Sequence, residues 1–496
     1  MINYFYDMIP ADELSRLSYI PTVPEFVEWI EKTYGDSPAV SNISETYTYR
    51  QLCDNIGRRR ALLNSLGIAK GERIAILERN TIDAVELFLA VTSAGYVSVI
   101  LPSALPAPAV AGCCKRFQVS ALFVAEALKD SAAMVEGIKV LDSKATGDHM
   151  DPVAKVDKDA PASIFFTGGS TGAPKGAVLP HRALMRGAFN GCFAPGSVIG
   201  GQRYICFLPL NHVFGAIRST LSVLYTGNLW YECPDIKAMM PKIQVVKPTT
   251  LVLVPGLCEI LAGLVKMYGI QFLGGELKMI ISGAANVPPR LMSVFDGFGI
   301  QLLAGYGMTE GANFTSGNAD VATRPTSVGK IYPEQETKVV DGELWIKGDN
   351  VFLGYYNDPV NTEAALTPDG WLRTGDLVRF DEDGFMYITG RIKNVIILSN
   401  GENVSPESIE EPFYADAHVR DAIVKEDTAG DRQVIAIEIL PNLPAFDGAP
   451  FDEVEKYMQG LVDRINATLP TTHRITKVTV RTEDFKRTGS LKVSRI

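Results

Sequence analysis

The sequence predicts an α/β protein: a large N-terminal domain of doubly wound sheets with a small β unit at its end, then a small α+β C-terminal domain. Three observations carry this. Short apolar runs rich in β-branched and aromatic residues alternate with helical patterns, the rhythm of βα units on a parallel sheet. After about residue 340 the segments shorten and alternate in polarity, as half-buried antiparallel strands do. From about Lys393 a self-contained α+β pattern takes over.

Arg73–Leu77 reads as a strand, followed by an amphipathic stretch around Ala84–Ala90 and a strand at Tyr96–Leu101. From Leu87 to Cys114 there is no charge, which is long enough to cross a bilayer. Gly95, Pro102, Pro106 and Pro108 interrupt it, and strands buried on both faces are continuous apolar runs. It reads as a helix, a buried strand and a proline-rich loop, with no integral membrane segment. Ser163–Thr167, Thr250–Val254 and Met279–Ser282 are further strands, each running into glycine or proline. Ligands of such sheets sit beyond the carboxyl ends of the strands, so these loops are the first places to look for a site.

Glu343–Lys347, Leu377–Phe380 and Phe385–Thr389 form the small β unit, with Asp381-Glu382-Asp383-Gly384 as a hairpin turn. The C-terminal pattern has strands near Ala422–Lys425 and Val434–Leu440, a helix near Glu453–Leu469 and a strand at Lys477–Arg481. The loop Asn442–Pro450 lies inside this unit, and the chain has no convincing internal repeat.

At 496 residues the chain is too long for one core. Its 46% hydrophobic and 21% charged residues describe an ordinary globular protein. A net charge of −10 argues against nucleic acid, whose phosphates demand a basic face. The N-terminus has no basic region before an apolar core, so it is not a secretory signal. Seven cysteines without CxxC or Cys/His metal spacing suggest a reduced, cytoplasmic protein, with Cys113 and Cys114 as small buried residues.

The strand Ser163–Thr167 runs into Thr167-Gly168-Gly169-Ser170-Thr171-Gly172-Ala173-Pro174-Lys175-Gly176. Glycines let backbone N–H groups approach phosphate oxygens, hydroxyls add donors, and lysine adds positive charge. A Walker A loop needs Gly-Lys-Ser/Thr, whereas the order here is Pro-Lys-Gly, which disfavours P-loop ATPases and GTPases. The segment resembles the phosphate loop of the adenylate-forming superfamily, which includes acyl-CoA synthetases, peptide-synthetase adenylation domains and beetle luciferases. Gly168 stands where serine is common. The resemblance runs collinearly from Thr48-Tyr49-Arg50-Gln51-Leu52 to the chain end and points to the acid–CoA ligase branch.

The resemblance implies roles for further residues. In Ala304-Gly305-Tyr306-Gly307-Met308-Thr309-Glu310, Tyr306 would lie against adenine beside Gly307, Thr309 on the α-phosphate, and Glu310 at Mg²⁺. Ser282-Gly283-Ala284-Ala285 resembles a second adenine-facing loop. Asp376, in Gly370-Trp371-Leu372-Arg373-Thr374-Gly375-Asp376, would accept both ribose hydroxyls, since a carboxylate has lone pairs for a vicinal diol. Arg391 would reach the nucleotide, with Lys393 as the hinge between a large domain of residues 1–391 and a mobile small domain of residues 392–496. Lys492 takes the catalytic lysine's place, with Arg495 three residues on; Leu491 and Phe485 replace the usual glycine and proline. Gly401, in Ser399-Asn400-Gly401-Glu402-Asn403-Val404-Ser405-Pro406, would line the pantetheine tunnel.

The implied reaction uses ATP, Mg²⁺ and coenzyme A: a carboxylate attacks the α-phosphorus, pyrophosphate leaves, and the acyl group passes to a thiol. Phe207-Leu208-Pro209-Leu210-Asn211-His212-Val213-Phe214-Gly215 resembles the wall of the acyl pocket, where His212 would gate or line the acid site. With no acid near it, an amino-acid substrate is disfavoured, and a fatty or aryl acid expected. A carrier protein's phosphopantetheine is the alternative acceptor, and a nucleotide-binding pseudoenzyme the alternative outside enzymes.

Overall fold

The buried apolar runs assemble into two large sheets. The structure, a computed structural model, describes residues 5, 9–167, 175–193, 199–285, 287–398, 402–429, 432–486, 493 and 495. Among them one sheet has the order Lys330–Ile331, Ser316–Asn318, Gln301–Tyr306, Met279–Ser282, Thr250–Leu253, Arg203–Cys206, Leu229–Glu232, Pro38–Ser41, Thr46–Thr48. Its centre is parallel, Met279–Ser282 pairing with Thr250–Leu253 on one side and Gln301–Tyr306 on the other. The second sheet runs Gly354–Tyr355, Lys175–Pro180, Pro161–Thr167, Val97–Ile100, Arg73–Leu77, Val119–Val124, Lys139–Asp142. Both sheets share one continuous apolar core.

Helices between the strands start where the sequence supplies caps. Thr48 and Gln51 form a reciprocal capping box ahead of Tyr49–Ser65, and Thr81 caps Ile82–Ser93. The second helix is buried around nearly its whole circumference, which explains its uncharged C-terminal half. Its one inward acid, Glu86, meets Arg59 at 2.9 Å and Asn55 at 2.8 Å. The expected proline-rich loop is only partly a loop. A helix, Ala107–Arg116, starts at Pro106 with Pro108 in its first turn, where a missing N–H goes unnoticed. No helix among the described residues is long and apolar enough to cross a membrane.

Gln335–Val340, Glu343–Gly348, Leu372–Phe380 and Met386–Arg391 make an antiparallel sheet, with the expected turn at Asp381–Gly384. The C-terminal part carries its own core, built from Ile409, Phe413, Ile437, Met458 and Val462. It packs the helices Pro406–Tyr414 and Phe451–Asn466 on the strands Val419–Ala429, Arg432–Pro441 and Ile475–Val480. Ser405 ties it to the preceding sheet by donating to the Thr389 carbonyl at 2.7 Å. The predicted α/β class and the smaller α+β C-terminal part are both present. The seven cysteines are free thiols.

Candidate functional site

Ser282 and Ala304 lie side by side at the carboxyl ends of adjacent parallel strands, so the loops after them open at the same edge of the sheet. Both loops line one cavity of about 1740 Å³. Gly307 begins the second loop, where a Cβ would come within 1.4 Å of the Asn313 carbonyl oxygen, so the chain can double back only over glycine. Ala284, in the first loop, holds a left-handed φ of 71°, a conformation that costs an alanine about 1–2 kcal/mol.

Strand pairing places Asp376 opposite Arg391. Arg391 Nε meets Asp376 Oδ1 at 2.6 Å, and the Tyr306 hydroxyl donates to Oδ2 at 2.5 Å. Asp376 is 1% exposed and lies behind these two residues, which line the cavity themselves. Its backbone N–H donates to Thr374 Oγ1 at 3.1 Å, which holds the main chain at this residue as well. Burial, and then the Asp376 charge, hold the Tyr306 phenol well above its ordinary range. Desolvation is the largest influence on the Arg391 cation and works against it, but Asp376, Tyr306 and Glu407 together outweigh it and the guanidinium is raised. Lys393 is lowered, first by desolvation and then by the Arg391 charge.

Glu310 sits in the single turn Thr309–Gly311, 7% exposed. Its Oε1 accepts the Tyr355 hydroxyl at 2.7 Å, and its carbonyl accepts the Phe352 N–H at 2.9 Å. Tyr355 belongs to the short strand Gly354–Tyr355 on the edge of Lys175–Pro180. Lys175 Nζ stands 4.9 Å from the centre of the Tyr355 ring and donates to Asn361 Oδ1. Thr167 and Lys175 are the last pair of an antiparallel hairpin. Tyr355 thus joins the lysine of the phosphate-loop motif to the expected metal carboxylate. Sequence reasoning missed it, although the aromatic pair after Gly354 was a visible signal.

The description "AMP-binding enzyme" fits residues 26–356, and "AMP-binding enzyme C-terminal domain" fits residues 393–496. The chain belongs to the AMP-binding enzyme family. Long-chain-fatty-acid–CoA ligase FadD15 of Mycobacterium bovis is 28% identical, over 78% of this chain and 76% of its own. Indoleacetate–CoA ligase of Aromatoleum aromaticum is 28% identical over 78% and 82%. Among solved structures, ATP-bound MatB from Rhodopseudomonas palustris superposes with a TM-score of 0.83 at 23% identity, covering 95% of this chain and 97% of that one. The anthranilate CoA ligase AuaEII with anthranoyl-AMP gives 0.83 at 20% identity, covering 97% and 96%. These structures share the fold, and the resemblance drawn from the motifs is borne out.

In this AMP-binding enzyme, Thr167, Lys175, His212, Gly283, Ala284, Tyr306, Gly307, Thr309, Glu310, Arg391 and Lys393 all line the one cavity. Ala285 and Asp376 do not line it. Gly168, Gly169, Ser170, Thr171, Gly172, Gly401 and Lys492 lie outside the described residues. Val493, next to Lys492 in the chain, is described and lines the cavity. Among the described residues no three His, Cys, Asp or Glu gather as a metal site. Glu310 nevertheless suits Mg²⁺, which commonly takes one carboxylate and completes its shell with phosphates and water. Tyr355 uses one carboxylate oxygen and leaves the other for a cation.

The cavity wall also carries apolar side chains, among them Phe207, Phe214, Val254, Leu257 and Ile281. His212 stands two residues ahead of the π-helix Phe214–Leu221, its N–H donating to the Pro209 carbonyl at 3.1 Å. That helix closes onto the preceding loop at Gly215, where a Cβ would stand 2.1 Å from the Pro209 carbonyl oxygen. The expectation of no acid near His212 needs one addition, because Asp235 lines the same cavity. Its Oδ1 caps the helix Ile236–Val246 by accepting the Ala238 N–H at 3.0 Å, and its Oδ2 stands 3.9 Å from Arg79 Nη1, so both oxygens already have protein partners. Glu343 is engaged likewise, by the Gly375 N–H and the Trp345 indole, each at 2.8 Å.

Proposed function

We propose that this protein is an ATP-dependent acid–CoA ligase that activates a fatty or aryl carboxylic acid as an acyl adenylate and transfers the acyl group to coenzyme A. The observation that carries the reading is one cavity joining two chemistries. Tyr306, Thr309, Glu310, Lys175 and Arg391 give its wall polar and charged groups, and Phe207, Phe214, Val254, Leu257 and Ile281 give it apolar surface. CoA ligases among the relatives support the choice of acceptor.

In the first step a carboxylate oxygen bonds to the α-phosphorus and the bond to pyrophosphate breaks. The protein's part is alignment and neutralisation of shifting charge. Thr309 would hydrogen-bond the α-phosphate, Lys175 and the glycines of residues 168–172 would hold the outer phosphates, and Lys492 would bridge carboxylate and phosphate. Glu310 would hold Mg²⁺, which balances the charge of the leaving pyrophosphate. In the second step the thiol sulfur attacks the acyl carbon, the bond from that carbon to the phosphate oxygen breaks, and AMP leaves. The domain boundary at residues 391–392, with Lys393 as hinge, supplies the change of residues between steps. Gly401 would then pass the pantetheine arm.

Pyrophosphate release from ATP and Mg²⁺, across a panel of fatty and aryl acids with and without coenzyme A, tests this. The expected result is acid-dependent release that becomes sustained turnover with coenzyme A and yields a thioester. Release indifferent to coenzyme A would transfer the assignment to a ligase for a carrier protein's phosphopantetheine. Orthophosphate released without any acid would overturn the reading altogether. Lys492→Ala should lower adenylate formation by roughly 10²–10³. Gly401→Leu should spare that step and block the thioester.

A further inference from the structure

Arg218 lies on the π-helix Phe214–Leu221, is 1% exposed, and lines the cavity together with Phe214 of the same helix. Its Nε and Nη2 are buried and have no hydrogen-bond partner. No carboxylate stands within ion-pair distance of it among the described residues; the centre of the Tyr204 ring, 5.8 Å away, is its aromatic neighbour. Two thiols sit close, Cys192 and Cys206, and burial keeps both well above the ordinary thiol range, so they supply no anion.

The contrast with another buried arginine is informative. Arg59, 2% exposed, gives its guanidinium to Glu86, Asp83 and the Ser143 carbonyl. That is the ordinary arrangement, because a buried cation without a partner is strongly disfavoured and each unsatisfied donor calls for an explanation. Arg218 departs from it on the wall of a cavity that the apolar side chains Phe207, Phe214, Val254, Leu257 and Ile281 also line. A guanidinium presents its donors as a planar fork that matches a carboxylate in two parallel bonds.

We propose that the acid taken by this enzyme carries a second carboxylate, and that Arg218 binds it while the first carboxylate is activated. This rests on the acid–CoA ligase reading and narrows its substrate class. The second carboxylate supplies acceptors to Nε and Nη2, and the apolar walls hold the carbon frame between the two acid groups. A site built to hydrogen-bond a substrate group rejects analogues lacking it, because its own polar atoms are then left unpaired.

The test compares matched pairs of acids, hexanoate with adipate and benzoate with phthalate or its isomers, in wild type, Arg218→Lys and Arg218→Gln. The expected result is a preference of about 10²-fold or more in kcat/KM for the dicarboxylate of at least one pair. Arg218→Gln should collapse that preference, and Arg218→Lys should keep part of it. A second readout needs no turnover: the favoured dicarboxylate should raise the melting temperature of wild type and not of Arg218→Gln. A wild type that uses monocarboxylates as well as their dicarboxylate partners, and gains no stability from either, overturns the proposal and leaves the ligase reading standing. Absence of acid-dependent pyrophosphate release from every acid defeats the ligase reading instead, and the melting shift then still decides whether Arg218 binds a dicarboxylate. If Arg218→Gln does not fold, the wild-type preference and the Arg218→Lys variant decide.

Discussion

The Tyr306 hydroxyl donates to Oδ2 of Asp376 at 2.5 Å, while Arg391 holds Oδ1 at 2.6 Å. The carboxylate that the motif resemblance places at the ribose is therefore engaged on both oxygens and stands behind these two residues, so a ribose diol would reach it only by displacing one of them. Asp376→Ala should raise the KM for ATP by about 10–100-fold, the scale of one or two hydrogen bonds to a charged group. Tyr306→Phe, which frees Oδ2 and keeps the ring, should raise it far less. Steady-state kinetics with ATP and 2′-deoxy-ATP check this. Equal KM values for the two nucleotides in wild type would remove Asp376 from the ribose.

Tyr355 fixes Glu310 through one oxygen, so its removal should loosen the cation site without abolishing it. Glu310→Gln is expected to lower kcat by about 10²–10³ and raise the Mg²⁺ needed for half-maximal rate. Tyr355→Phe should produce the same shift in Mg²⁺ dependence at about a tenth of that size or less. Magnesium titrations of the initial rate separate the two. A Mg²⁺ dependence unchanged in both variants would refute the assignment.

Gly307→Ala should be poorly tolerated by the fold, because the added methyl meets the Asn313 carbonyl at 1.4 Å and the backbone must move. A loss of about 1–3 kcal/mol, as for overpacked sites, is expected in denaturant unfolding. Gly305→Ala meets only the Ser316 carbonyl at 3.1 Å and should fold nearly as well as wild type. Equal stability of both variants would contradict this geometry.

His181 is buried at 1% exposure, and its Nδ1 accepts the Val23 N–H at 3.3 Å. Burial lowers its pKa from 6.5 to about 4. The unfolded chain binds the proton first as pH falls, so stability is full above pH 6.5 and declines down to about pH 4. The loss is about 3 kcal/mol over that window. His181→Asn keeps an acceptor for Val23 and should show a shallower acid decline. Parallel slopes of unfolding free energy against pH in the two proteins would rule the residue out.

Much of this site was legible in the sequence. The glycine-bearing loops follow the strands whose buried apolar runs announced them, and Ser163–Thr167, Met279–Ser282 and Arg73–Leu77 stand where their β-branched content put them. What escaped has physical causes. The residues after Pro174 return antiparallel as a strand because tertiary pairing, not local pattern, selects that path. Gly354–Tyr355 is a two-residue strand, too short to show a period, so Tyr355 stayed hidden. Arg218 reads in the sequence as an ordinary helix cation, and only the packed structure reveals that no carboxylate among the described residues answers its charge. The left-handed Ala284 lies beyond any propensity argument, since alanine rarely adopts that conformation.

Arg391 has two allegiances: it grips Asp376, and it is the residue immediately before the turn Ile392–Asn394 that leads into the C-terminal part. Whatever rearranges that turn must disturb the grip and, if Arg391 reaches the nucleotide as proposed, the free energy of holding it. Linkage makes the relation reciprocal, so a nucleotide must bias the turn by the same factor with which the turn biases the nucleotide. In the proposed reaction ATP, acyl adenylate and AMP differ in charge and size, and each would set its own bias. Substrate entry and product departure would thus acquire a preferred order from one shared side chain.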